Sequence, residues 1–108
     1  MSGSNGNGYG GGFESIAPSC ENLVINTQIS SPKMQVIQGI TVGVILDVAV
    51  EPAGNVAVVV VKHQGKVAGG VASPNVQQLR ECIQQGTTYQ AKVTAVNGPQ
   101  VSIRINAV

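Results

Sequence analysis

Tryptophan is absent from the 108 residues, aromatic residues amount to 3%, and only 10% of the chain is charged. Ordinary globular domains carry about 25% charged residues, so this surface must be built largely from Gln, Asn, Ser, Thr and Gly. A formal net charge of +1 excludes a strong polyelectrolyte mode of binding to nucleic acid or anionic lipid, which needs many cations on one surface. No run approaches the ~18 apolar residues of a membrane span, so no membrane partner is expected. No basic start followed by an apolar stretch opens the chain as an export signal would, which points to a cytoplasmic setting. Thiols stay reduced there. Cys82 then reads as a small buried hydrophobe, the alternative being a Cys20–Cys82 bond that ties the start of the fold to its one clear helix. Two cysteines and one histidine, with neither CxxC nor HxxxH spacing, do not compose a metal site.

Glycine is what the chain has in excess: 14 residues, six of them within Met1–Gly12. That stretch has no apolar period and few side chains able to pack, while ordering it would cost about 1–2 kcal/mol of backbone entropy per residue. Residues 1–18 therefore read as a flexible head, and residues 19–108 as one domain. Tyr9 and Phe13 are two aromatics on this glycine tether, available as small docking anchors.

From Cys20 onward the period is that of β-structure. Leu23, Ile25, Thr27 and Ile29 alternate with polar residues, and Ser30-Ser31-Pro32 ends the run. Met34, Val36 and Ile37 suggest one short helical turn. Val44, Leu46, Val48 and Val50 form a second alternating strand, closed by the turn residues Pro52-Ala53-Gly54-Asn55. Val56–Val61 has no polar face, which predicts a central strand covered on both sides. His63-Gln64-Gly65-Lys66 reads as a tight hairpin into a return strand over 67–72. Gly69-Gly70 within that return implies a bulge, a bend or close backbone approach. A helix follows, with Ser73 as its cap, Pro74 at its first helical position and Gly86 just past its end. Val76, Leu79, Cys82 and Ile83 make its apolar stripe. Two strands around Asn97-Gly98 close the chain, with Tyr89 in phase with Ala91 and Val93 and hence in the core. The expected fold is mainly β: a small closed or half-closed barrel, OB- or SH3-like, of about six strands with one capping α-helix.

The inventory for catalysis is thin. Asp47 and Glu51 share a strand face but lie roughly 13 Å apart at about 3.3 Å per residue, too far for a carboxylate pair acting on one bond. His63 sits in a turn with no nucleophile beside it in sequence. Gly10-Gly11-Gly12 lacks the Lys-Ser/Thr of a phosphate loop. No cofactor is implied. A binding surface remains, either the valine run (Val56, Val58, Val60) or the cations Lys62, Lys66, Lys92 and Arg104 of the strands.

The stretch from Asn55 through Val-Ala-Val-Val-Val-Val-Lys-His-Gln-Gly-Lys-Val-Ala-Gly-Gly-Val, with the helix Asn75–Gly86 and Tyr-Gln-Ala-Lys-Val after it, resembles HIRAN-type domains over about residues 43–96. That resemblance implies a small β-barrel in which a Gly-Lys-Val hairpin return precedes a helix and a closing strand. Some members of that family bind single-stranded DNA ends, which adds Lys66 and Arg80 as candidate backbone contacts. The functional expectation is a non-enzymatic module that binds a protein or associates with itself, because a valine strand on a low-charge barrel suits pairing better than electrostatic capture. Weak single-stranded nucleic-acid binding through Lys62, Lys66, Arg80, Lys92 and Arg104 is the alternative.

Overall fold

Ser19–Val108 are the residues described by the structure, a computed structural model; the head, with Tyr9 and Phe13, lies outside them. A 3-10 turn, Cys20–Asn22, leads into β1 (Val24–Ser30). The short helix α1 (Met34–Ile37), β2 (Ile45–Ala53), β3 (Val56–His63) and β4 (Lys66–Val71) follow. Helix α2 (Val76–Gln84) then precedes β5 (Tyr89–Asn97) and β6 (Gln100–Ala107). The strands close into an antiparallel barrel, the class expected from the strand pattern, and their order around it is β1-β4-β3-β2-β5-β6.

Alternation in the sequence becomes inside and outside in the barrel. Ile25 and Ile29 of β1, Leu46 of β2, Val59 and Val61 of β3, and Val93, Ile103 and Ile105 of the closing hairpin meet in one core. Helix α2 contributes Leu79 and Cys82 to that core, so the stripe read from the sequence is the face that packs. Gly86 ends α2 with φ +111°, and the Thr87 N–H donates back to the Cys82 carbonyl at 3.0 Å. The helix start departs from expectation. Ser73 does not cap it directly; its Oγ accepts the Asn75 N–H at 3.2 Å in a preceding turn, and the first helical residue is Val76.

The hairpins follow turn chemistry. Gln64 and Gly65 both have positive φ (54° and 83°), the type I′ requirement between paired His63 and Lys66. In the last hairpin Asn97 pairs with Gln100, so the two-residue loop is Gly98-Pro99, one position later than Asn97-Gly98 suggested.

Of the bulge, bend or close approach expected at Gly69-Gly70, the structure has a bulge beside it and a close approach at it. The β3–β4 register shifts at Val61/Lys62, and a Cβ on Gly69 would collide with Ile29 Cγ2 and come within 2.7 Å of the Ser30 carbonyl oxygen. Only a residue without a side chain allows β1 to close on β4 here. The turn after β1 is tied down by the Lys33 N–H, which donates to the Ala68 carbonyl at 2.8 Å.

The thiols are not reduced. Cys20 and Cys82 form a disulfide with Cα atoms 5.6 Å apart, leaving no free cysteine. The expectation of reduced thiols rests on the absence of an export signal and the cytoplasmic setting that this implies, not on the positions of the two cysteines. Strand β1 and helix α2, however, pack into the same core, which brings the two cysteines within bonding range.

Candidate functional sites

Two outward faces of the barrel carry the candidate residues. The first belongs to β3. Its candidate valines Val56, Val58 and Val60 alternate with the core residues Val59 and Val61, and two of the three face solvent: Val56 is 61% exposed and Val58 36%. Coverage on both sides therefore holds only for Val59–Val61, and Val60, 7% exposed, does not project from the surface as Val56 and Val58 do. Strand β3 is also not an edge, since β2 and β4 pair with it on either side. That removes backbone edge pairing by β3 as a mode of association. Beyond Asp47, β2 has β3 as its only strand partner, and Pro52, which lacks an N–H, lies in that stretch.

Cross-strand pairing places Val60 opposite Ala49 on one side and Gly70 on the other. Because Gly70 has no side chain, an apolar groove of about 330 Å³ opens between Val58, Val60 and Val71 and the Ser30–Lys33 turn. Lys33, exposed on its rim, is the one charged residue lining it. The sequence signalled Gly69-Gly70 as a backbone feature but could not say that Gly70 faces outward beside the valines.

The second face belongs to β1, β6, β5 and β2. In register order one row across the strands reads Asn26, Arg104, Lys92, Ile45; the next reads Val24, Asn106, Gln90, Asp47, Lys62. Lys92 and Arg104 are thus directly opposite each other and exposed, at the about 4.5–5.5 Å Cβ separation of a cross-strand pair. The 3-10 turn overhangs this face. Together Glu21, Asn22, Val24, Gln90, Lys92, Arg104 and Asn106 line a concavity of about 390 Å³.

Tyr89 is buried, as its phase predicted, and its phenol donates to the Cys20 carbonyl at 2.5 Å. Burial, and secondarily the Glu21 carboxylate, push the Tyr89 phenol above its ordinary value.

The other cations do not gather with Lys92 and Arg104. Lys62 forms an ion pair with Glu51, spanning the Ala49–Val60 pair on the outer face. Arg80 is half-buried and donates from Nη1 to the Ala57 carbonyl at 3.2 Å, fastening α2 to β3. Lys66 is exposed at the β3–β4 turn. His63, expected in an exposed turn, is half-buried, with its ring edge near Gly39. Among the described residues no three of His, Cys, Asp and Glu come together, and no helix is long and apolar enough to cross a membrane. Comparison with known proteins returns no matching family, no matching curated protein and no matching solved structure.

Proposed function

We propose that this barrel is a non-enzymatic binding module that associates with a second copy of itself through the valine face. The observation that carries the reading is a knob beside a hole: exposed Val56 and Val58 stand next to the groove left open by Gly70. A two-fold contact needs a patch complementary to itself. Rotating one copy onto another seats Val58 of each in the groove of its partner, burying apolar surface worth about 25 cal/mol per Å². Side chains, not strand edges, make this contact.

Light scattering coupled to size exclusion tests it over a wide concentration range. A dimer that dissociates on dilution, and that is lost in both Val58→Lys and Gly70→Val, is the expected result. Both variants alter outward positions, so their far-UV circular dichroism and melting should stay native. A clean monomer at every concentration, or a dimer that survives both folded variants, overturns the reading. The Cys20–Cys82 bond supports an oxidising compartment as the place of action, in preference to the cytoplasm.

Nucleic-acid binding keeps one specific support, the Lys92–Arg104 pair. Of the five candidate cations, Lys62 and Arg80 are engaged within the fold and Lys66 stands apart. Two adjacent charges supply only a weak, salt-sensitive grip on a phosphate backbone.

A further inference from the structure

We propose that the concavity between the 3-10 turn and the β5–β6 face binds a small polyhydroxylated anion, a sugar phosphate or sugar acid, with Lys92 and Arg104 holding its anionic group. This site lies on a different face from the valine groove and does not depend on self-association.

The first argument is electrostatic. Like charges directly opposite on neighbouring strands are destabilising, and among the described residues neither Lys92 nor Arg104 has an ion-paired acid to offset it. The one ion pair among the described residues is Lys62–Glu51. Asp47 is the diagonal neighbour of Lys92, and Glu21 lines the same concavity, yet neither pairs with the two cations. An anion placed between them satisfies both charges at once, and Arg104 offers the planar fork that carboxylate and phosphate accept.

The second argument concerns the remaining lining. Asn22 Nδ2 donates to Ser19 Oγ at 3.0 Å and Asn106 Nδ2 to the Ala107 carbonyl at 3.1 Å. Each carboxamide is thereby oriented, while its oxygen, which accepts from no described residue, can take a hydroxyl donor. The Glu21 carboxylate, an acceptor only, adds to this set, and Val24, 39% exposed, offers an apolar patch for C–H groups. Cations at one end and hydroxyl acceptors at the other describe an anion with a hydroxylated body. Glu21 also repels a polyanion, which disfavours a nucleic-acid strand along the same path. At about 390 Å³ the volume falls in the lower part of the about 300–1,000 Å³ range of small-molecule sites.

The third argument is preorganisation. The overhanging turn is held at Cys20 twice, by the disulfide to α2 and by the Tyr89 phenol. A wall fixed before binding lowers the ordering cost that a ligand must meet. Reduction of the disulfide should therefore weaken the site without touching any group that contacts the ligand.

The test is a titration of the full-length oxidised protein, followed by amide chemical shifts, with glucose 6-phosphate, glucuronate, glucose, inorganic phosphate and a short oligothymidylate. Saturable shifts centred on Asn22, Gln90, Lys92, Arg104 and Asn106 are expected with the two sugar anions, and the tighter of the two identifies the anionic group. Glucose and inorganic phosphate should each bind at least about tenfold more weakly than that ligand, since each lacks half of the recognition. The double variant Lys92→Gln/Arg104→Gln should lose at least about tenfold in affinity with an unchanged or higher urea midpoint, which separates lost binding from lost fold. Reduced protein should bind several-fold more weakly, and Val58→Lys should bind normally. Absence of saturation, equal binding of glucose, or full binding by the double variant overturns the proposal. So does a preference for oligothymidylate, which would assign the pair to nucleic acid.

Discussion

Gly69 and Gly70 are neighbours, yet replacing each by alanine should have opposite effects. At Gly69 the added methyl meets Ile29 Cγ2 and the Ser30 carbonyl oxygen, the latter at 2.7 Å. Ile29 is itself in the core, and Ser30 is backbone within the two-residue β1–β4 ladder, Ile29↔Val71 and Ser30↔Gly70. Neither neighbour can move without loosening the seam that closes the barrel. Overpacking alone costs about 1–3 kcal/mol, and a hydrogen bond lost from the ladder adds about 1 kcal/mol. Gly69→Ala should therefore destabilise by about 3 kcal/mol. At Gly70 the same methyl has its nearest neighbours, the Val59 and Ser30 carbonyl oxygens, at 3.6 and 3.9 Å, which is ordinary contact. Its backbone needs no left-handed conformation, so Gly70→Ala should be neutral or stabilising by about 0.4–1 kcal/mol through the unfolded chain. Urea unfolding followed by far-UV circular dichroism measures both. Equal effects of the two substitutions, or a tolerated Gly69→Ala, would refute the claim that a side chain at 69 blocks closure between β1 and β4.

Two further predictions concern the element that holds the 3-10 turn. The disulfide closes a loop of 62 residues in sequence separation, for which the chain-entropy relation gives about 4 kcal/mol and typical measured values run about 2–4 kcal/mol. Reduction, or the double variant Cys20→Ser/Cys82→Ala, should lower the urea-derived stability by about that amount; a loss below about 1 kcal/mol would show that the bond does little for the folded state. The raised Tyr89 phenol sets an alkaline limit. The unfolded chain gives up this proton first, so stability is full below the ordinary tyrosine value near 10 and falls as pH rises through and above it. Tyr89→Phe should flatten this alkaline decline in a pH series of urea midpoints, while costing about 1 kcal/mol at neutral pH for the lost bond to the Cys20 carbonyl. An unaltered alkaline slope in that variant would assign the decline to other groups.

The strands, the helix and the barrel class were legible because each rests on a local period. Alternation set the inward faces of β1, β2, β5 and β6, and the stripe Val76, Leu79, Cys82, Ile83 set the face of α2. The valine run misled for the same reason. With no polar residues to mark a face, its alternation is invisible, and only pairing with Ala49 and Gly70 on the outer side reveals which valines are covered. The sites were less legible still, because both are made by residues far apart in the chain. Lys92 and Arg104 are twelve positions apart and carry no motif, yet the register of one hairpin sets them side by side. Cys20 and Cys82 lie outside any spacing rule, but their bond and the Tyr89 phenol hold the turn that walls the concavity. Scarcity of charge is what gives this pair its weight. On a barrel where Glu51 and Lys62 neutralise each other and Arg80 serves the helix, Lys92 and Arg104 are two adjacent cations that form no ion pair among the described residues, which leaves them to a ligand. Removing Lys92 or Arg104 should cost the fold nothing and the site its ligand.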